Sequence, residues 1–338
     1  MRNIREYKKK EALNILYQSD QNTQVALGTS IASLLLNNRL CNDINIYLID
    51  DGIDSFFCSQ LTKYIESLHG KLVVIPSDIL LKNKLVKNFA CYKGERKNKH
   101  SYLKLFWDIA IVNNMDKLLY IDCDTIIKDD LTELFTFDMG DNYIGMVLDA
   151  LITDEIQYIG LDSTKPYFNS GVILFDCKKW IENKCSKRTA FHKIQYGTVD
   201  QDLINVEFKD KIAILPMKYN YQLIHKIVNS QEYRKEFQRE NYYTQKEIES
   251  AEKNACIIHF LKFIGQNPWD KGNLHPCRYI FEEYFEQTPW KALKKSRQKI
   301  KSMYIIEKIL YIILPKRLFI RIYHIAHKQM IIKSNKKL

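Results

Sequence analysis

The sequence has no CxxC pair and no CxH spacing. Its eight cysteines, at 41, 58, 91, 123, 177, 185, 256 and 277, therefore suit neither a zinc ribbon nor a small disulfide scaffold. They are expected as reduced thiols of a cytoplasmic protein. No window supplies the run of about 18 uncharged apolar residues that a transmembrane helix needs. The opening stretch, "MRNIREYKKKEALNILYQSD", is basic, but the apolar segment inside it is far too short for a signal-peptide core. Internal repeats and low-complexity segments are also missing. Acids are scarce in one region: residues 291–338 hold 14 Lys and Arg against one acid, Glu307. The other 290 residues hold 37 basic and 39 acidic side chains, so the nominal net charge of +11 belongs to the tail. The body is close to neutral.

What is present is a soluble globular composition, 46% apolar and 27% charged. The 338 residues suit one large α/β domain with an appendage, or two domains. From residue 13 strands and helices alternate. "LNILYQS" reads as a strand, "QVALGTSIASLLLNN" as an amphipathic helix, "INIYLIDDGI" as a strand ending in a turn, "SQLTKYIESLH" as a helix and "KLVVIP" as a third strand. Apolar runs separated by single helices predict βαβ units and a mostly parallel sheet. The polar segment 88–100, "NFACYKGERKNKH", is expected as a mobile loop with binding groups. "YLKLFWDIAIV" returns to helix ahead of the strand "KLLYID". "YIGMVLD", "YFNSGVILFD", "CKKWIENKC", "VDQDLINVEF", "IAILPMKYNYQ" and "ACIIHFLKFIGQNPW" follow. "QTPW" at 287–290 is expected as the hinge between a main domain, 12–286, and a basic helical region, 287–338.

Several residues stand where chemistry is done. Asp122 and Asp124 flank Cys123 at the end of an apolar run, where α/β sheets bind ligands. Either the pair begins a turn, or it points both carboxylates at one hard cation. His259 also ends an apolar run, and imidazole beside two carboxylates suits Mn²⁺ or a similar borderline cation. Asn169, Ser170 and Gly171 precede a strand; the glycine lets backbone approach a ligand and the amide offers a donor and an acceptor. Asp200, Gln201 and Asp202 sit at a helix start, as an N-cap or as partners for sugar hydroxyls.

Taken in order, "YQSDQN", "SYLKL", "YIDCDTII", "FNSGVILFD", "DQDLIN" and "IIHF…NPW" form a set that resembles glycosyltransferase family 8 over about residues 12–275. Within the family, the likeness is to bacterial enzymes that add hexoses to lipooligosaccharide or lipopolysaccharide cores. The resemblance implies a GT-A fold and transfer of a sugar from a UDP-hexose with retention of configuration. It implies Asp122, Asp124 and His259 as ligands of Mn²⁺ (or Mg²⁺), and Asp20 and Asn22 near the uracil and ribose. Asn169 and Gly171 match the sugar-side loop, and Asp200 and Gln201 match residues that hold the transferred hexose. Two departures stand out. Tyr102-Leu103-Lys104-Leu105 replaces Tyr-x-Arg-Leu, which keeps the charge but loses the bidentate fork. The closing pattern His-x-x-Gly-x-x-Lys-Pro-Trp is lengthened by two residues, with Asn267 before Pro268, so that Lys262 is left to supply the diphosphate charge.

Retention requires either a covalent intermediate or attack on the face the leaving group vacates. Gln201 is a poor nucleophile and Asp202 a candidate one, so front-face attack is favoured, with Gln201 and Asp200 orienting the sugar. The tail segments "MYIIEKILYIIL" and "RLFIRIYHIAHKQMIIK" mix bulky apolar and basic residues, which suits helices on an anionic membrane surface. Such attachment places the protein at the inner face of the cytoplasmic membrane, near a lipid-linked acceptor. Packing on the body with the basic face in water is the other reading of the tail, and no nucleic-acid motif accompanies its charge. Two other functions compete. A nucleotidyltransferase needs a glycine- and arginine-rich phosphate loop after the first strand, and "YQSDQNTQ" is not one. A degenerate UDP-sugar-binding scaffold draws support from the altered loop at 259–269 alone. Residues 217–250, with 88–100, are expected on the acceptor side.

Overall fold

A computed structural model describes residues 12–335 except 42, 88, 90–96, 112–114, 195, 238–240, 262–266, 272, 274 and 293–301. Lys262 and most of the expected loop at 88–100 lie outside the described residues. The strands are β1 (Leu13–Ser19), β2 (Ile44–Asp50), β3 (Gly70–Pro76), β4 (Lys117–Ile121), β5 (Thr125–Ile127), β6 (Ile144–Leu148), β7 (Phe168–Asp176), β8 (Ile212–Ile214), β9 (Tyr221–Gln222) and β10 (Ile257–His259). Seven form one sheet in the order β3-β2-β1-β4-β7-β6-β8, and three form a smaller one, β5-β10-β9. β1, β4, β6 and β7 are near-continuous apolar runs because both faces of the sheet are covered. The sheet is mostly parallel, as α/β patterning predicts. β7 is the exception, running antiparallel to both β4 and β6.

Helix α1 (Gln24–Asn37) explains how the small sheet is attached. Ser30, Ser33 and Asn37, at i, i+3 and i+7, share one face of it. Ser30 Oγ lies 3.0 Å from Thr125 Oγ1, Ser33 Oγ accepts from Ile127 N at 2.9 Å, and Asn37 Nδ2 donates to Ile127 O at 2.9 Å. The outer edge of β5 thus finds its hydrogen-bond partners on α1. On another face of α1, Gly28 leaves room for Trp290. A Cβ there would stand 2.5 Å from the indole. Trp290 also packs on Phe57 of α2 (Ser55–Ser67) and on Tyr64, with ring centroids 5.2 and 5.3 Å away.

The segment expected as a hinge is therefore an anchor, with Thr288 and Trp290 both buried. Beyond it come the helices Ser302–Ile313 and Lys316–Asn335. The second lies on the body. It buries Phe319, Ile320, Ile331 and Ile332, ion-pairs Lys328 with Asp154, and sets His324 3.4 Å from Glu236 and 3.3 Å from Thr153. The first keeps Leu310 and Tyr311 against the core but exposes Ile305, Ile306, Ile309, Ile312 and Ile313. These five fall at i, i+1, i+4, i+7 and i+8, a single face. Among the described residues, no helix is long and apolar enough to cross a membrane.

Candidate active site

The carboxyl ends of β1 and β4 and the amino end of the antiparallel β7 open onto a cleft of about 380 Å³ lined by Gln18, Ser19, Asp20, Thr23, Asp51, His100, Ser101, Lys104, Tyr120, Asp122, Ser170 and Asp200. Asp122 in its lining begins the turn Asp122-Cys123-Asp124, which carries the chain from β4 in the large sheet to β5 in the small one. The change of sheet supplies the bend that turns alternate side chains to the same place. β10 pairs antiparallel with β5, His259 opposite Thr125, and this register brings the imidazole beside Asp124. His259 Nε2 is 3.3 Å from Asp124 Oδ1, and one ligand atom from each of Asp122, Asp124 and His259 lies within 4.8 Å of the others. Gly171 makes the approach feasible: a Cβ on it would sit 2.2 Å from His259 Cε1 and 3.0 Å from Asp122 Oδ2.

A chain of amides fixes which nitrogen of His259 faces the carboxylates. Gly171 N donates to Asn169 Oδ1 at 3.0 Å, so Asn169 turns its Nδ2 to Asp149 Oδ2, 3.0 Å away. Asn220 then presents Nδ2 to Asn169 Oδ1 at 2.9 Å and its own Oδ1 to His259 Nδ1 at 3.0 Å. An acceptor at Nδ1 puts the proton there and leaves the Nε2 lone pair directed at the carboxylates. Two hard oxygens and one imidazole nitrogen fit a borderline divalent cation, so the three residues expected as metal ligands are brought together and suit the role. The charges agree. Burial and the nearby Asp124 push Asp122 above the usual carboxylate range, against the pull of Lys104. Burial lowers His259, but Asp124 and Asp122 outweigh it and hold the imidazole above its ordinary value.

Lys104 is buried in the wall of the cleft. Its Nζ is 2.8 Å from Asp200 Oδ2 and 3.9 Å from Asp122 Oδ1, donates to Ser170 O at 3.1 Å, and lies 4.3 Å from the centre of the Tyr120 ring. Burial works against its charge, but Asp200 and Asp122 raise its pKa further, so it stays cationic. On the sugar side, Gln201 Oε1 accepts from Ser170 N at 3.1 Å and its Nε2 donates to Asp149 Oδ2 at 3.2 Å. Ser170 Oγ donates to Asp200 at 2.9 Å. The loop before Asp200 is bent sharply at Val199, whose φ of +55° is an uncommon conformation for a β-branched residue.

Other sequence candidates are placed differently. Asp202 is buried, with Oδ1 accepting from Tyr167 OH at 2.5 Å and Oδ2 from Thr198 N at 3.0 Å; it braces the loop and does not line the cleft. The Cys123 thiol donates to Gln18 O at 3.1 Å, so this residue spaces the two carboxylates and pins β1 to β4. Asp20 lines the cleft while its Oδ1 accepts from Asn22 N and Thr23 N, both at 3.0 Å, ahead of α1. Burial works against the ionised form of Asp20, but these bonds, with those from the Asn22 and Thr23 side chains, hold its pKa below the usual range. Asn22 donates from its side chain to Asp20 and does not line the cleft. Two residues were missed by sequence reasoning. Asp149 ends the run "YIGMVLD" as Asp122 ends "KLLYID", the same signal. Asn220 had no local signal, since β9 pairing with β10 brings it to His259.

The family model for glycosyl transferase family 8 matches residues 14–272. Lipopolysaccharide 1,2-glucosyltransferase of Escherichia coli (strain K12) is 27% identical over 290 residues, covering 83% of this chain and 80% of that protein. General stress protein A of Bacillus subtilis (strain 168) is 24% identical over 288 residues, covering 85% of this chain and 97% of that protein. Among solved structures, the galactosyltransferase LgtC in complex with donor and acceptor sugar analogues superposes with a TM-score of 0.61 at 20% identity, covering 83% of this chain and 99% of that one. The bifunctional glycosyltransferase WbbM gives 0.68 at 20% identity over 83% of this chain, which spans only 50% of WbbM. At that identity the likeness is one of fold, and it is the GT-A type. With the family model covering most of its length, the chain belongs to glycosyl transferase family 8 and is a glycosyltransferase.

Proposed function

We propose that the protein transfers a hexose, glucose or galactose, from its UDP-sugar to a bacterial surface glycan such as a lipopolysaccharide or lipooligosaccharide core, or to a glycoprotein glycan, in an Mn²⁺-dependent reaction that retains anomeric configuration. The observation that carries this reading is the convergence of Asp122, Asp124 and His259, of which Asp122 also lines the cleft that Lys104 and Asp200 enter. When bound, a divalent cation supplies Lewis-acid stabilisation of the charge that develops on departing UDP. Lys104 adds a fixed positive charge beside it, held in place by Asp200 and Ser170. Asp149, Asn169 and Gln201 form a hydrogen-bonded set on the sugar side, ready to orient hydroxyl groups.

The carboxylates there are already engaged. Asp149 accepts from two amides and two backbone N–H groups, Asp200 from Lys104 and Ser170, and Asp202 from Tyr167 and Thr198. Donors on an oxygen lower its nucleophilicity, which favours front-face attack by the acceptor over a covalent intermediate. The isoleucine face of Ser302–Ile313 beside the basic tail suits attachment to an anionic membrane surface, with a lipid-linked acceptor, at the cytoplasmic side.

The test is turnover of a panel of UDP-sugars with Mn²⁺ and with EDTA, for the wild type and Asp124→Ala. Metal-dependent consumption of one UDP-hexose, abolished by the substitution, is expected. UDP that fails to bind with or without Mn²⁺ would overturn the reading.

A further inference from the structure

We infer that Asn335, in the last turn of the terminal helix Lys316–Asn335, is a positioning residue for the sugar-side loop of the cleft. The inference rests on the transferase reading for its kinetic consequence, but not for its geometry. Gly197 N donates to Asn335 Oδ1 at 2.7 Å, a contact between residues 138 apart in the chain, and Asn335 is buried. The helix end is packed directly on the loop backbone, since a Cβ on Gly197 would lie 2.1 Å from Ser334 Oγ and 2.8 Å from Ser334 Cβ. Two residues later comes Val199, with φ +55° and ψ −114°, and the next two side chains are Asp200 and Gln201.

A strained non-glycine residue persists only where its surroundings over-determine it. Here two clamps hold it, one at Thr198 and one at Gly197. On one, Asp202 accepts from Thr198 N while Tyr167 OH lies 3.2 Å from Thr198 Oγ1. On the other, Asn335 accepts from Gly197 N. With the second clamp lost, Val199 is free to relax toward an extended conformation. That rotates the first turn of the helix Asp200–Glu207, moving Asp200 relative to Lys104 and Gln201 relative to Asp149 and Ser170. The cation cluster and the nucleotide side of the cleft, built on β1, β4 and β10, stay where they are. The side-chain oxygen of one residue near the chain's end thus sets the register of two site residues it never touches.

The test compares full-length Asn335→Leu, which removes the acceptor at similar size, with Asn335→Asp, which keeps an oxygen in its place. Hydrogen exchange of the segment 196–203 is read against that of 117–121, beside the melting temperature, Mn²⁺-dependent UDP affinity, kcat and KM. In Asn335→Leu, exchange in 196–203 is expected to rise by about tenfold while 117–121 is unchanged. Turnover is expected to fall by roughly tenfold or more, with UDP affinity within about twofold, because misplacement of orienting groups costs kcat. Asn335→Asp restores both. Unchanged exchange in Asn335→Leu, equal behaviour of the two variants, full turnover with a loosened loop, or losses that track the melting temperature and UDP affinity alike would each overturn the proposal. A wild type that turns over no UDP-hexose sinks the UDP-hexose reading instead, and the exchange difference alone then decides the contact.

Discussion

Replacing Gly171 by alanine would drive a methyl carbon into His259, and the backbone of β7 cannot withdraw without breaking the bond from Asp122 N to Gly171 O. The expected result for Gly171→Ala is a fall of about 100-fold or more in Mn²⁺-dependent turnover. Calorimetric titration with Mn²⁺ should show weakened binding while far-ultraviolet circular dichroism is unchanged. Asn220→Leu acts one step further out, removing the acceptor that holds His259 Nδ1–H, and should cost roughly 10- to 100-fold in cation affinity. Protons compete for the same Nε2. Because Asp124 holds His259 protonated to a higher pH than usual, cation affinity should be full above that raised pKa and fall as pH drops through it, by about tenfold per pH unit. A flat profile between pH 8 and 6 would contradict the assignment of His259 as a ligand. At this scale the sequence was informative where a residue ended an apolar run or sat in a recognised motif, as Asp122, His259 and Gln201 do. Asn220 was illegible because its role exists only once β9 lies against β10.

Elements join these residues by devices that a pattern of apolar residues does not encode. The run of β7 reads as a strand, but nothing in its periodicity gives its direction, and it lies antiparallel in an otherwise mostly parallel sheet. "YLKLFWDIAIV" has the content of a helix and adopts a 3-10 segment, Lys97–Ile109, kinked at Phe106. The same kind of reading placed a hinge at "QTPW", because Pro after a polar stretch is ordinary turn chemistry. Burial of Trp290 against Gly28, Phe57 and Tyr64 decided otherwise. Trp290→Ala should destabilise the protein by about 3–5 kcal/mol, the usual cost of emptying a large aromatic site. Chemical denaturation would show this as a lower midpoint with an unchanged slope, whereas a tail that merely hangs from a hinge would leave the midpoint unchanged.

For the molecule as a whole, charge and apolar exposure coincide. The tail holds 14 basic residues, and next to them one helix face shows isoleucines to solvent, up to 72% exposed at Ile313. Isolated exposed apolar residues need no explanation, but a full helical stripe beside concentrated basic charge suits an anionic surface. Sedimentation with vesicles should detect binding to phosphatidylglycerol-containing bilayers and little to phosphatidylcholine. Ile309→Glu with Ile312→Glu should reduce that binding by about tenfold or more, since each buried apolar side chain contributes roughly 1.5–3 kcal/mol. Equal binding by the double variant would point to charge alone. The composition of the tail left open whether its helices pack on the body or face a membrane; its division between a helix that packs and one that exposes its isoleucines required the fold.

The turn at Asp122-Cys123-Asp124 has one further effect. Asp122 follows β4 of the large sheet, Asp124 precedes β5 of the small one and His259 ends its β10, so anything gripping all three ties the two sheets together. Such a ligand must also resist unfolding, by about 2.7 kcal/mol at a concentration 100 times its dissociation constant. Resistance of the protein to proteolysis would then rise and fall with the supply of that ligand, making its availability a determinant of how long the protein lasts.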